Sequence, residues 1–216
     1  MNGLLFITHQ TEKFDYLQSI EIALAGGCRQ IQLRMKETPV DQIIKTAIVA
    51  KELCDKYNAY LYIDDHVEVC QKVKAKGVHL GKLDMPPSEA RKILGNDFII
   101  GATANTFEDI KRLLGECVDY IGLGPFRFTT TKKNLSPVLG LDGYQSIIEQ
   151  CTENGINLPI LAIGGITVTD IPQIMNTGVS GIALSSTILY ADNPVEETQR
   201  INGLINKRIN AISKLS

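Results

Sequence analysis

Residues 159–186 read PILAIGGITVTDIPQIMNTGVSGIALSS, and this stretch holds one full unit of the fold. It opens on a short apolar run (159–165) that ends in Gly164-Gly165. Thr167 with Asp170 then gives a helix-start signature, and Gly178 closes the helix before a second apolar run at 181–186. Strands that are apolar almost throughout, rather than alternating, are those of a parallel sheet covered on both faces.

The same alternation extends outward in both directions. Further apolar, β-rich runs lie at 4–8, 30–34, 60–65, 77–81, 98–104 and 120–124, which brings the total to eight. Helical patterns fill the gaps. Thr38 is expected to cap one helix with Pro39 in its first turn, and Val40, Ile43, Ile44, Ala47, Ala50 and Cys54 trace its apolar face. Thr106 with Asp109 starts another, with Phe107, Ile110, Leu113 and Leu114 along one side, and 194–212 reads as the last. Eight β-then-α units suit a closed barrel or an open doubly wound sheet. No dinucleotide glycine fingerprint follows the first strand, and eight is the closure number, so the expectation is an α/β chain folded as a (β/α)8 TIM barrel. Loops are short and no linker divides the chain, which predicts one domain over residues 1–216. The long loop at 125–140 is the exception, and such loops are usually functional.

Composition narrows the function. The 216 residues are 44% hydrophobic and 21% charged, with a formal charge of −2 and no basic tract, which disfavours nucleic acid and anionic membranes as partners. No apolar run is long enough to cross a bilayer, and MNGLLFITHQ lacks the basic start of a signal peptide. Five scattered cysteines without a Cys-x-x-Cys pair argue against both a disulfide framework and a zinc site. Four of them are expected in helical segments as buried thiols, and the cytoplasm is the expected compartment. A homo-oligomer is left open.

Active sites of βα barrels lie at the C-terminal ends of the strands. Gly164-Gly165 and Ser185-Ser186 end the last two strands, where backbone N–H groups and hydroxyls suit a phosphate; tight strand–helix packing is the competing reading of the glycines. Arg34 and Lys36 alternate with Leu33 and Met35, so both leave the second strand on one side, and with Lys132 they give three cations suited to a diphosphate. Asp65 and Asp84 follow adjacent strands, which suits Mg2+, a general acid/base pair, or helix caps. His79, inside the fourth strand, reads as a satisfied interior histidine rather than a ligand.

Several of these segments together resemble the thiamine-phosphate synthase family over essentially the whole chain. They are Gln-Leu-Arg-Met-Lys at 32–36, Asp64-Asp65, Gly-Val-His-Leu-Gly-Lys-Leu-Asp at 77–84, Gly-Ala-Thr-Ala-Asn-Thr at 101–106 and Gly-Leu-Gly-Pro at 122–125. Thr-Thr-Thr-Lys-Lys at 129–133, Ile-Gly-Gly-Ile at 163–166 and Ser185-Ser186 complete the series. The resemblance implies a transferase that joins a hydroxymethylpyrimidine diphosphate to a hydroxyethylthiazole phosphate, or its carboxylated precursor, by a dissociative Mg2+-assisted mechanism in which diphosphate leaves first and the thiazole nitrogen captures the resulting pyrimidine methyl cation. It implies that Gln32, Leu33, Arg34, Met35, Lys36, Asp64, Thr103 and Lys132 bind the pyrimidine diphosphate, with Arg34, Lys36, Lys132 and Thr103 as the catalytic set. It places Mg2+ on Asp65 and Asp84, and the thiazole phosphate on Thr129, Thr130, Thr131, Gly165, Ser185 and Ser186. Asp64 stands where the family commonly has Asn, Met35 where Glu is frequent, Lys82 where Gln is frequent, and Thr103 where Ser is frequent.

Three rival functions are weighed. A thiazole tautomerase of the sister family would need neither the cations nor the metal ligands retained here, and Asn105 occupies the neighbourhood of its histidine. A sugar-phosphate isomerase would need a general base after strand six or seven, where there is no Glu or His. A catalytically silent barrel that senses thiamine precursors would differ only in turnover.

Overall fold

The computed structural model describes residues 1–128 and 137–212. Eight parallel strands, β1 (Gly3–Ile7), β2 (Gln30–Leu33), β3 (Tyr60–Asp64), β4 (Gly77–Leu80), β5 (Ile99–Ala104), β6 (Tyr120–Leu123), β7 (Ile160–Ile163) and β8 (Gly181–Leu184), pair in chain order. The sheet closes where β8 meets β1, with Gly3 opposite Gly181 and Leu5 opposite Ala183. Helices α1 (Tyr16–Ala25), α2 (Val40–Lys56), α3 (Val67–Val73), α4 (Pro87–Leu94), α5 (Phe107–Leu114), α6 (Gly140–Glu153) and α7 (Ile171–Asn176) each follow their strand. After β8 come the single turn α8 (Ser186–Leu189) and the long α9 (Pro194–Ile212). This is the expected TIM barrel. Among the described residues no helix is long and apolar enough to cross a membrane.

Two apolar layers explain why the strands read as continuous runs. Phe6, Ile31, Leu33, Ile63, Val78, Ile100 and Ile182 belong to the layer between strands and helices. Leu5, Ile7, Tyr62, Tyr120, Leu161 and Ala183 fill the barrel lumen. Each such side chain, fully buried, contributes about 1.5–3 kcal/mol. The lumen fixes one glycine: a Cβ on Gly101 would sit 2.1 Å from Tyr120 Cζ, so the phenol ring crosses the barrel only because Gly101 has no side chain.

Local chemistry sets most helix starts as expected. Thr106 and Asp109 form a capping box at α5, and Thr167 and Asp170 form one at the 3-10 turn (Val168–Asp170) that leads into α7. The Thr38 cap is corrected. The cap position is Pro39, still extended at ψ 140, its carbonyl accepts from Gln42 and Ile43, and the Thr38 hydroxyl donates back to the Lys36 carbonyl at 3.1 Å. The cysteine expectation is also corrected in part. Cys54, Cys70 and Cys151 are buried in helices, but Cys28 is buried just before β2 and Cys117 is exposed.

Candidate active site

Side chains at the C-terminal end of β2 converge on Asp64, at the end of β3. It accepts from Gln32 Nε2 at 2.6 Å, and Arg34 Nε and Lys36 Nζ lie 3.4 and 3.5 Å from its Oδ2. Lys36 also contacts Asp65 directly. Leu33 and Met35 point the other way, into the layer between barrel and helices, so any substrate contact of theirs runs through the backbone. That is the alternation expected of this segment. Thr8, absent from the sequence reading, secures it: the Arg34 N–H donates to Thr8 Oγ1 at 2.9 Å and the Thr8 hydroxyl returns a bond to the Arg34 carbonyl at 3.3 Å.

The carboxylates differ in environment. Asp64 is buried, and burial pushes its carboxyl up against the pull of Lys36, Arg34 and Gln32, with Asp84 adding to the push. Asp65 sits in the left-handed region at φ 64, which aspartate tolerates better than most side chains. Its N–H donates to the His79 carbonyl at 2.9 Å, which ties the turn after β3 to β4. Asp84 accepts from the Gly81 N–H at 2.6 Å. Burial raises its carboxyl, and the adjacent Asp65 carboxylate raises it further. Two acidic side chains this close, one after β3 and one after β4, can share a proton or hold a cation between them. Among the described residues no cluster of three or more such groups exists, so remaining ligands to a metal there would come from the substrate.

Thr103, at the end of β5, shares a hollow with Gly81, Lys82 and Asp84. Below it His79 spans the lumen, with Nδ1 3.0 Å from the Tyr120 hydroxyl and Nε2 3.0 Å from Thr103 Oγ1. His79 is thus a bonded interior residue, as expected, and it also contacts a residue of the site. Asn105 is buried and bonded to the Gly124 carbonyl. Lys82, where the resembled family often has Gln, pairs with Asp109 at 2.6 Å and so ties the Asp84 turn to the start of α5.

The far side of the mouth is built from the exits of β6, β7 and β8. The segment after β6 lies against Gly164-Gly165: Phe126 N–H donates to the Ile163 carbonyl and Arg127 N–H to the Gly164 carbonyl, each at 2.9 Å. Gly164 (φ 97) and Gly165 (φ 67) need positive φ, and a Cβ on Gly165 would lie 2.9 Å from Arg127 Cβ and 3.0 Å from its carbonyl oxygen. Close packing therefore contributes to the glycine pair, though against the segment after β6 rather than against a helix as the competing reading held, and the Gly165 and Ile166 N–H groups have no partner among the described residues. Among the described residues Ser185 Oγ is buried without a hydrogen-bond partner, while Ser186 is exposed. Arg127, also absent from the sequence reading, grips Asp170 through Nη1 at 2.9 Å and Nη2 at 3.0 Å, and its Nη1 donates to the Gly165 carbonyl at 2.6 Å. Nothing periodic announces a pair 43 residues apart. Thr129, Thr130, Thr131 and Lys132 lie outside the described residues.

Comparison with known proteins places these features in a family. A profile described as Thiamine monophosphate synthase matches residues 4–188. A thiamine-phosphate synthase from Phocaeicola vulgatus is 62% identical over 201 residues, covering 93% of this chain and 97% of that protein. One from Bacteroides fragilis is 60% identical, covering 93% and 98%. A solved structure of thiamine phosphate pyrophosphorylase from Pyrococcus furiosus superposes with a TM-score of 0.85 at 30% identity, covering 96% of each chain.

Proposed function

The chain belongs to the thiamine monophosphate synthase family, and from that premise we infer that it is a thiamine-phosphate synthase, a transferase of thiamine biosynthesis. It joins 4-amino-2-methyl-5-hydroxymethylpyrimidine diphosphate to hydroxyethylthiazole phosphate and releases diphosphate; with the carboxylated precursor, carbon dioxide is released as well. The observation that carries this reading is the division of the mouth. Cations and carboxylates gather at β2 to β4, and an unpartnered Ser185 hydroxyl with a Gly-Gly turn lies across the barrel. Two phosphate-binding regions suit a condensation of two phosphorylated partners.

The step is a substitution at the pyrimidine methylene. The carbon–oxygen bond to diphosphate breaks, its electron pair leaves with the diphosphate, and the thiazole nitrogen lone pair forms the new carbon–nitrogen bond. No proton moves, which accords with a site without a strong base. Arg34 and Lys36 lie where they would meet the diphosphate, and Asp64 holds both cations in place. Thr103 hydrogen-bonds the pyrimidine end, and Gln32 fixes Asp64 from below. Lys132, with Thr129, Thr130 and Thr131, is assigned to the leaving group and the thiazole phosphate by resemblance alone. Asp65 and Asp84 would hold Mg2+, whose chemistry is to offset negative charge on the departing diphosphate. Gly165, Ser185 and Ser186 receive the thiazole phosphate. The buried free thiols suit a reducing cytoplasm.

Incubation of purified protein with both substrates and Mg2+ tests the reading. Thiamine phosphate and diphosphate should appear in equal amounts. Absence of product with either thiazole form would sink it.

A further inference from the structure

The Gly164-Gly165 turn is held from two directions by groups that the reaction itself does not need. Its Gly164 carbonyl accepts from the Arg127 N–H and its Gly165 carbonyl from Arg127 Nη1. In a trans peptide the C=O and the following N–H point in opposite directions. Fixing those two carbonyls toward Arg127 therefore aims the Gly165 and Ile166 N–H groups away from it, and neither has a partner among the described residues. Arg127 is held in turn. Both of its terminal nitrogens grip Asp170, and its guanidinium lies 5.0 Å from the Phe126 ring centroid. Asp170 also accepts from the Thr167 N–H at 2.8 Å and the Thr167 hydroxyl at 2.7 Å. From the β8 side, the Thr187 hydroxyl donates to the Ile166 carbonyl at 2.5 Å.

We propose that Arg127 and Asp170 are positioning residues that pre-aim the Gly165 and Ile166 N–H groups for the thiazole phosphate. This rests on the assignment of that phosphate to Gly165, Ser185 and Ser186. The guanidinium acts through the turn: three of its five N–H donors, including both on Nη1, are already used on Gly165 and Asp170. Donors fixed before binding need not be ordered by the ligand, and that is where such a pair adds affinity.

Steady-state kinetics with each substrate varied, on Asp170→Asn, Arg127→Met, Arg127→Lys and Ser185→Ala, decide the matter. Asp170→Asn and Arg127→Met should each raise KM for the thiazole phosphate about tenfold, with KM for the pyrimidine diphosphate held within about twofold. Arg127→Lys keeps the charge but not the fork and should behave as Arg127→Met does. If Arg127→Met proves too unstable to assay, Asp170→Asn and Arg127→Lys still give the answer. A rise in the thiazole phosphate KM for Arg127→Met without one for Asp170→Asn would make Arg127 a direct ligand and overturn the proposal. Equal rises for both substrates would reduce the pair to a general structural contact. Ser185→Ala separates the two levels. If it too leaves the thiazole phosphate KM unchanged, the phosphate assignment fails; if it alone raises that KM, only the positioning role fails.

Discussion

His79 stands between Tyr120 and Thr103, 3.0 Å from each hydroxyl, and links the barrel lumen to the C-terminal end of β5. Tyr120 is fully buried and its phenol is pushed well above its ordinary range, chiefly by burial, so it stays protonated and bonds the imidazole at any working pH. Removing that hydroxyl deletes a hydrogen bond between two buried side chains. Tyr120→Phe should therefore cost about 1–2 kcal/mol of stability in urea denaturation. An unchanged midpoint would mean that the bond contributes nothing.

Thr103 is the upper end of the same chain of contacts. Thr103→Ser keeps the hydroxyl and should retain activity within a few-fold, whereas Thr103→Val should lower kcat/KM by about tenfold or more. Comparable activities for the two variants would remove Thr103 from the site.

Asp84 and Asp65 are assigned to the metal. Asp84→Asn should weaken Mn2+ binding in the presence of diphosphate, measured by calorimetry or paramagnetic resonance, and raise the Mg2+ concentration required for turnover. Full Mn2+ affinity in that variant would contradict the assignment.

Asp170 gives a pH signature independent of catalysis. Its hydrogen bonds with Arg127, helped by Thr167, outweigh burial and hold its carboxyl down from 3.8 to about 2. A depressed carboxyl adds stability that is present above its unfolded value and lost as pH falls through the folded one. Arg127 is half exposed, so screening limits the contribution to about 1 kcal/mol. Asp170→Asn should be less stable than the parent by about that amount at neutral pH. The gap should close as pH falls from near 4 toward 2, and a constant gap would show that the charge is not its source.

The fold was legible because both faces of each strand are covered, so eight apolar runs stood out between helical patterns, and strand ends marked the mouth. That Arg34 and Lys36 share a side followed from simple alternation, since every second residue leaves β2 on the same side, whereas their pairing with Asp64 depends on how β2 and β3 lie together. Thr8, Arg127 and Asp170 were harder. Their roles depend on which exits lie side by side in the closed barrel, as when the segment after β6 folds along the exit of β7. The Thr38 cap misled for a local reason: the proline after it remains extended and takes the cap position itself.

The central claim is that one mouth holds two separate phosphate sites. Calorimetric titration of Arg34→Ala and Ser185→Ala with each substrate in the presence of Mg2+ tests it most directly. Arg34→Ala should weaken binding of the pyrimidine diphosphate about tenfold or more and leave the thiazole phosphate unaffected, and Ser185→Ala should do the reverse. Loss of affinity for the same substrate in both variants would contradict the two-site account.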